Sequence, residues 1–124
     1  MASFFADSYA LIEILKGNDH YRVYPAGQLI TTEFNLCEVA FAVTRDYPDR
    51  AKKVMARVRD MVTLVPTTDD DYCAAAILRR TTTAEGRKLS TIDCVGYAVS
   101  RRHKTPFLTG DREFADFTGV EFVR

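Results

Sequence analysis

Ser90-Thr91-Ile92-Asp93-Cys94-Val95-Gly96-Tyr97-Ala98-Val99-Ser100-Arg101-Arg102-His103 and, just after it, Pro106-Phe107-Leu108-Thr109-Gly110-Asp111 read as a capped helix that feeds a short strand. Ser90 with an acid three positions later has capping-box spacing, although aspartate is shorter than the preferred glutamate or glutamine. The helix is predicted to run to about His103, and Pro106 to Thr109 to continue as a strand. The same alternation holds outward in both directions. Upstream, Val62 to Pro66 is a strand, and Thr67 or Thr68 caps a helix to about Arg80 with three aspartates in its first turn. A polar loop, Thr81 to Leu89, joins it to Ser90. Earlier still, Gln28 to Thr31 is a strand, Thr31 or Thr32 caps a helix from about Glu33 to Arg45, and Arg50 to Met61 is an amphipathic helix, basic on one side. At the start, Ser3 to Ala6 is a short apolar run ending at Asp7, followed by helically spaced Tyr9, Leu11, Ile12 and Leu15 and the loop Gly17-Asn18-Asp19. After Asp111, residues to Phe117 form a short helical turn and Val120 to Val123 a last strand.

Parallel neighbours need a crossover connection, and helices usually supply it. The expected fold is therefore α/β, a three-layer α/β/α domain over residues 1–124 with a mainly parallel central sheet of about five strands. Open sheets of this kind bind ligands outside the carboxyl ends of their strands. Acids placed at those ends are the first candidates for chemistry.

Composition narrows the chemistry. Of the 124 residues, 47% are hydrophobic and 27% charged, which suits a folded chain rather than a disordered one. Lys+Arg and Asp+Glu each total 17, so any contact with nucleic acid has to come from local patches. Cys37, Cys73 and Cys94 are odd in number, far apart and set among apolar neighbours, which predicts buried free thiols in a reducing compartment. With two histidines and neither a Cys-x-x-Cys nor a His-Glu-x-x-His pattern, a metal here has to be held by oxygen. The start of the chain carries no basic leader and no run nears ~20 apolar residues, so the expected location is cytoplasmic, with no membrane association.

Four acids stand out. Asp7 and Asp111 fall at the ends of the first and fourth strands, where each is also placed to cap the next helix or turn. Glu38 lies in an apolar helix: Leu36, Val39, Ala40 and Val43 form one stripe and Phe34, Cys37 and Phe41 another, with Asn35 the only other polar residue between Phe34 and Val43. A carboxylate there is expected to face a crowded interior or a cleft. Glu33 is about 140° away around the helix and fits first-turn stabilisation instead. Asp93 is the only acid on a helix whose Cys94, Val95, Ala98 and Val99 are apolar, although the capping role competes for it. Four converging carboxylates require neutralisation, and Mg²⁺ or Mn²⁺, which prefer carboxylate and water oxygens, are the natural ions.

Phe5-Ala6-Asp7-Ser8, Asn35-Leu36-Cys37-Glu38-Val39, Leu89-Ser90-Thr91-Ile92-Asp93 and Pro106-Phe107-Leu108-Thr109-Gly110-Asp111-Arg112-Glu113-Phe114 together resemble the PIN-domain nucleases, and within them the VapC-type toxins of toxin–antitoxin pairs. The resemblance spans nearly the whole chain. It implies a metal-dependent endoribonuclease that hydrolyses RNA phosphodiester bonds, with Asp7, Glu38, Asp93 and Asp111 as its metal-binding catalytic acids and Ser8 and Thr109 as supporting hydroxyls. It also implies a cognate antitoxin covering the groove and a homodimer formed through helix faces. Tyr9 departs from the pattern, since a small residue is common there, and Asp116 is an additional acid with no assigned role.

For RNA phosphates the basic clusters are Arg79-Arg80, Arg87-Lys88 and Arg101-Arg102-His103-Lys104; each is equally readable as a solvated helix face. Rival functions are a PIN-like scaffold that binds RNA or protein without cutting, and a housekeeping nuclease of RNA processing. A phosphoacceptor receiver domain shares the architecture, but it needs a paired acid at the first strand and a lysine after the last strands, and neither is evident.

Overall fold

Each strand of the sheet is three residues long, and the acids stand where strands give way to helices and turns. The computed structural model describes residues 3–124. Its elements are β1 (Phe4–Ala6), α1 (Ser8–Leu15), a 3-10 turn (Asp19–Tyr21), β2 (Leu29–Thr31), α2 (Glu33–Asp46), α3 (Ala51–Met61), β3 (Val62–Leu64), α4 (Asp69–Ala84), α5 (Thr91–Arg102), β4 (Phe107–Thr109), a second 3-10 turn (Arg112–Phe114) and β5 (Val120–Phe122). All five strands are parallel, in the order β3-β2-β1-β4-β5. The order reverses between β1 and β4, the switch point outside whose carboxyl ends open α/β sheets bind ligands.

Alternation along the strands separates two cores. Ala6, Leu29 and Leu108 face Leu11 of α1, Leu36, Val39 and Val43 of α2 and Val58 of α3. Phe5 and Phe107 point the other way, with Cys94, Val95 and Val99 of α5 and Ala75 of α4. These two burials make the three layers. On the second face Phe5 stacks on Phe107 at 5.6 Å, and Phe107 meets Phe114 at 4.7 Å. A Cβ on Gly96 would lie 3.1 Å from the Phe5 ring, so glycine lets α5 lie close over β1.

Three expectations need correction. The loop predicted from Thr81 begins only at Glu85, because α4 continues to Ala84; the Thr82 hydroxyl returns to the Leu78 carbonyl one turn back at 2.9 Å and satisfies a side chain that would otherwise compete with the helix. Cys37 and Cys73 are exposed, and only Cys94 is buried. The stripe of Phe34, Cys37 and Phe41 faces outward, with Phe41 78% exposed.

One buried acid is structural. Asp71 closes the capping box of α4 with Thr68, and both of its oxygens accept from Arg102 at the end of α5, at 2.8 and 2.9 Å. The Arg102 hydrogen bonds, helped by those from Thr68 and by the guanidinium charge, hold Asp71 below the usual aspartate range against the opposing effect of burial. Arg102→Ala strands the charge and is expected to lower the thermal midpoint by several degrees at pH 7. A depressed folded-state acid contributes stability only above its unfolded value, so the deficit should shrink as pH falls below about 4. Thermal melts at pH 7 and pH 3 check both, and equal deficits at the two would exclude the pairing as the cause.

Candidate active site

The end of β1 is tied to β4 by the Asp7 amide, which donates to the Leu108 carbonyl at 3.2 Å. Asp7 then caps α1, accepting from the Ala10 amide at 2.8 Å. The Thr109 hydroxyl accepts the Asp111 amide at 3.0 Å and hydrogen-bonds Asp7, so one threonine links both strand-end acids. Gly110 between them is constrained by packing: a Cβ there would meet the Tyr9 ring at 2.2 Å and the Val123 carbonyl at 2.5 Å. Tyr9 thus covers the turn that presents Asp111, which accounts for a large residue after the Asp-Ser pair.

From the other side, Glu38 on α2 accepts from the Ser8 hydroxyl at 2.5 Å. Asp93 completes a capping box at the start of α5, its Oδ2 taking the Ser90 amide at 2.8 Å while its own amide donates to Ser90 Oγ at 3.0 Å. Asp111 caps the second 3-10 turn, Oδ1 accepting from the Glu113 amide at 3.0 Å. The capping roles of Asp7, Asp93 and Asp111 are therefore real. The cap of α5 draws on Asp93 Oδ2 and the cap of the 3-10 turn on Asp111 Oδ1, while Ser8 binds Glu38 through Oε1.

The electrostatics run from acid to acid. Asp7 is 4% exposed, and burial pushes its carboxyl up to about 7, against the lowering effect of Thr109 and Ala10, with Asp93 and Asp111 adding repulsion. Burial also raises Glu38, opposed by Ser8 and reinforced by Asp93. Asp93 is raised chiefly by burial, with a contribution from Asp111. Among the described residues no cation stands among the causes of these shifts. Asp71, by contrast, is buried with a guanidinium bound to it. An all-oxygen donor set that no cationic side chain among the described residues offsets suits a hard divalent cation, and Asp7, Glu38, Asp93 and Asp111 are the residues that could hold one. Among the described residues no three carboxylate, imidazole or thiol groups are drawn together tightly enough to enclose an ion as they stand, as expected for like charges with nothing between them.

The basic clusters divide. Arg102 is committed to Asp71 and the Pro66 carbonyl. Arg87 grips Asp116 through both nitrogens, at 2.9 and 2.8 Å, and also reaches the Glu113 carbonyl; this gives Asp116 a role in fastening the segment before α5. Glu33 pairs with Arg59 on α3 and stands apart from the acids. Arg79 and Arg80 line a cleft of about 470 Å³ between α4 and α5 with Tyr72, Ala75 and Val95. Arg101 extends across Gly119. Asn35, fully buried beside Ser8, is the residue that sequence reasoning passed over; its only signal was polarity within an apolar helix.

A family model described as the PIN domain matches residues 4–120. No curated protein matches the chain. Among solved structures, VapBC-5 of Mycobacterium tuberculosis, a member of the VapBC family of toxin–antitoxin systems, is similar at 27% identity, with a TM-score of 0.69 and coverage of 100% of this chain and 99% of that one. DNA-bound VapBC from Salmonella typhimurium is similar at 15% identity and a TM-score of 0.77, over 99% and 98% of the two chains. VapC20 of M. tuberculosis, a toxin that cleaves the sarcin-ricin loop, is similar at 21% identity and a TM-score of 0.68, over 96% and 99%.

Proposed function

The chain belongs to the PIN domain family, and from that premise we propose that it is a metal-dependent endoribonuclease, the toxin of a VapBC-type toxin–antitoxin pair. The observation that carries this reading is a buried Asp7 repelled by the acids Asp93 and Asp111, with no cation of the described residues among the causes of its shift. Bound Mg²⁺ or Mn²⁺ would lower the pKa of a water and neutralise charge developing on the scissile phosphate. The chain's own part is to hold and orient. Asp7 and Asp111 approach from the ends of the adjacent strands β1 and β4, Glu38 and Asp93 from helices on opposite faces of the sheet. Ser8 and Thr109 fix carboxylates by hydrogen bonds.

Arg80, Arg101 and the terminal nitrogens of Arg79, whose Nε donates to the Leu89 carbonyl at 3.3 Å, are the groups offered to RNA phosphates, since Arg102 is occupied by Asp71. A cognate antitoxin is the protein partner, and the VapBC complexes among the structural neighbours support it. Exposed Phe41 and Ile77, 78% and 63% accessible, offer apolar area for that partner or for a second copy in a cytoplasmic homodimer.

The test is incubation of the purified chain with structured RNAs and Mg²⁺ or Mn²⁺, with and without chelator. Endonucleolytic cleavage that the chelator abolishes is the expected result. Absence of cleavage on a broad RNA panel, with no Mn²⁺ binding by calorimetry, would leave a non-catalytic binding module.

A further inference from the structure

We propose that Asn35 is a positioning residue of the acid cluster: it sets the direction of a hydrogen-bond chain that ends on Glu38 and so holds that carboxylate in place. The proposal rests on Glu38 belonging to the metal-holding set.

The direction is forced from one end. The Asn35 amide donates to Thr32 Oγ1 at 3.3 Å as part of the α2 cap. The threonine hydrogen must then go elsewhere, and it goes to Asn35 Oδ1 at 2.7 Å. With Oδ1 turned to Thr32, the carboxamide presents Nδ2 to Ser8 Oγ at 3.1 Å. Ser8, now an acceptor, sends its single hydrogen to Glu38 Oε1 at 2.5 Å; the Asn35 carbonyl, at 3.4 Å, is the weaker alternative. The chain thus starts on a backbone N–H that can only donate and ends on a carboxylate that, when ionised, can only accept.

Burial enforces this order. Thr32 is 0% and Asn35 1% exposed, so water is not at hand to satisfy a flipped carboxamide, and a flip would take the acceptor Oδ1 from the Thr32 hydrogen and turn it to Ser8, drawing the Ser8 hydrogen away from Glu38. The chain also crosses from α2 to α1 and back, which couples Glu38 to the helix that Asp7 caps. No apolar residue supplies both ends of the Asn35 link. Aspartate keeps the acceptor for Thr32 but offers a second acceptor to Ser8, drawing its hydrogen away from Glu38.

The test is Mn²⁺ affinity of the full chain by calorimetry, without RNA, for Ser8→Ala, Asn35→Ala and the double variant, with a thermal melt of each. Partners that orient metal ligands typically contribute about 10- to 100-fold to metal affinity, so each single variant is expected to bind about tenfold more weakly. The double variant should be no worse than Ser8→Ala alone, because Asn35 acts through Ser8. Additive losses, or a lowered midpoint with unchanged Mn²⁺ affinity, would reduce Asn35 to a packing role. If Asn35→Ala fails to fold, Asn35→Asp serves: it should weaken Mn²⁺ binding when Ser8 is present and not when Ser8→Ala has removed the hydrogen to divert. Weakening in both backgrounds overturns the relay. If the unsubstituted chain binds no Mn²⁺, the metal reading itself fails and the proposal with it; Mn²⁺ binding that Asn35→Ala leaves unchanged overturns the proposal alone.

Discussion

Asp93→Asn is expected to leave the chain folded while metal-dependent RNA cleavage falls on the order of a hundredfold or more. The substitution separates the two functions of one side chain. Its Oδ1 can still accept the Ser90 amide that Oδ2 of the aspartate now takes, and the Asp93 amide still donates to Ser90 Oγ. The start of α5 therefore keeps its capping box, and stability should change by no more than about 1 kcal/mol. What disappears is the negative charge and the second anionic oxygen, the part a cation needs. Asp93→Ala would lose both functions and would not discriminate between them. Cleavage assays with Mn²⁺, beside circular dichroism and a thermal melt, give the answer. Undiminished cleavage by a folded Asp93→Asn chain would remove Asp93 from the site, whereas a melt lowered by many degrees would mean that the loss of activity reports on folding.

Asp93 also explains why the sequence alone left the acids ambiguous. Capping and metal binding look like rival readings of an aspartate at a helix start, but a carboxylate has two oxygens and the geometry assigns one to the cap. Asp111 divides its oxygens in the same way. The element order was legible for a related reason: Asp7, Thr32, Thr68, Ser90 and Asp111 each mark the switch from extended chain to helix or turn, and each caps it. The lateral order of the strands left no such mark. Pairing of β1 with β4 joins segments about a hundred residues apart, and nothing periodic in either announces its neighbour.

The misreadings have particular causes. Thr81, Thr82 and Thr83 are weak helix formers in succession, yet the buried Thr82 bonds back into the helix and tertiary packing overrides propensity. Cys37 looked buried because Phe34 and Phe41 beside it are apolar, but all three share the outward face of α2. Asn35 was noticed only as a polar interruption; its link to Ser8 spans 27 residues and exists only once α1 and α2 pack.

Asp7→Asn is expected to raise the thermal midpoint of the metal-free chain at pH 8 by several degrees and to abolish the additional gain that Mn²⁺ gives the unsubstituted chain. The folded state holds the Asp7 carboxyl at about 7, against an ordinary value of 3.8, mainly through burial. Between those values the unfolded chain has released a proton that the folded chain still binds, so stability falls as pH rises from about 4 to about 7 and stays low above it. At ~1.4 kcal/mol for each tenfold in proton affinity, ionised Asp7 burdens the metal-free fold by on the order of 4 kcal/mol. Asparagine has no proton to release. Its oxygen can keep the Ala10 amide and its nitrogen can face the carboxylates of Asp93 and Asp111, which now repel Asp7; a weakened Thr109 hydrogen bond costs less than removal of the buried charge relieves. The midpoint difference between the two chains should therefore be small at pH 5 and large at pH 8, and Mn²⁺ should close it from the unsubstituted side by neutralising the cluster. A midpoint that falls on Asp7→Asn at pH 8 would mean that the fold needs the Asp7 anion as such, and a cation would then have no burden to relieve there.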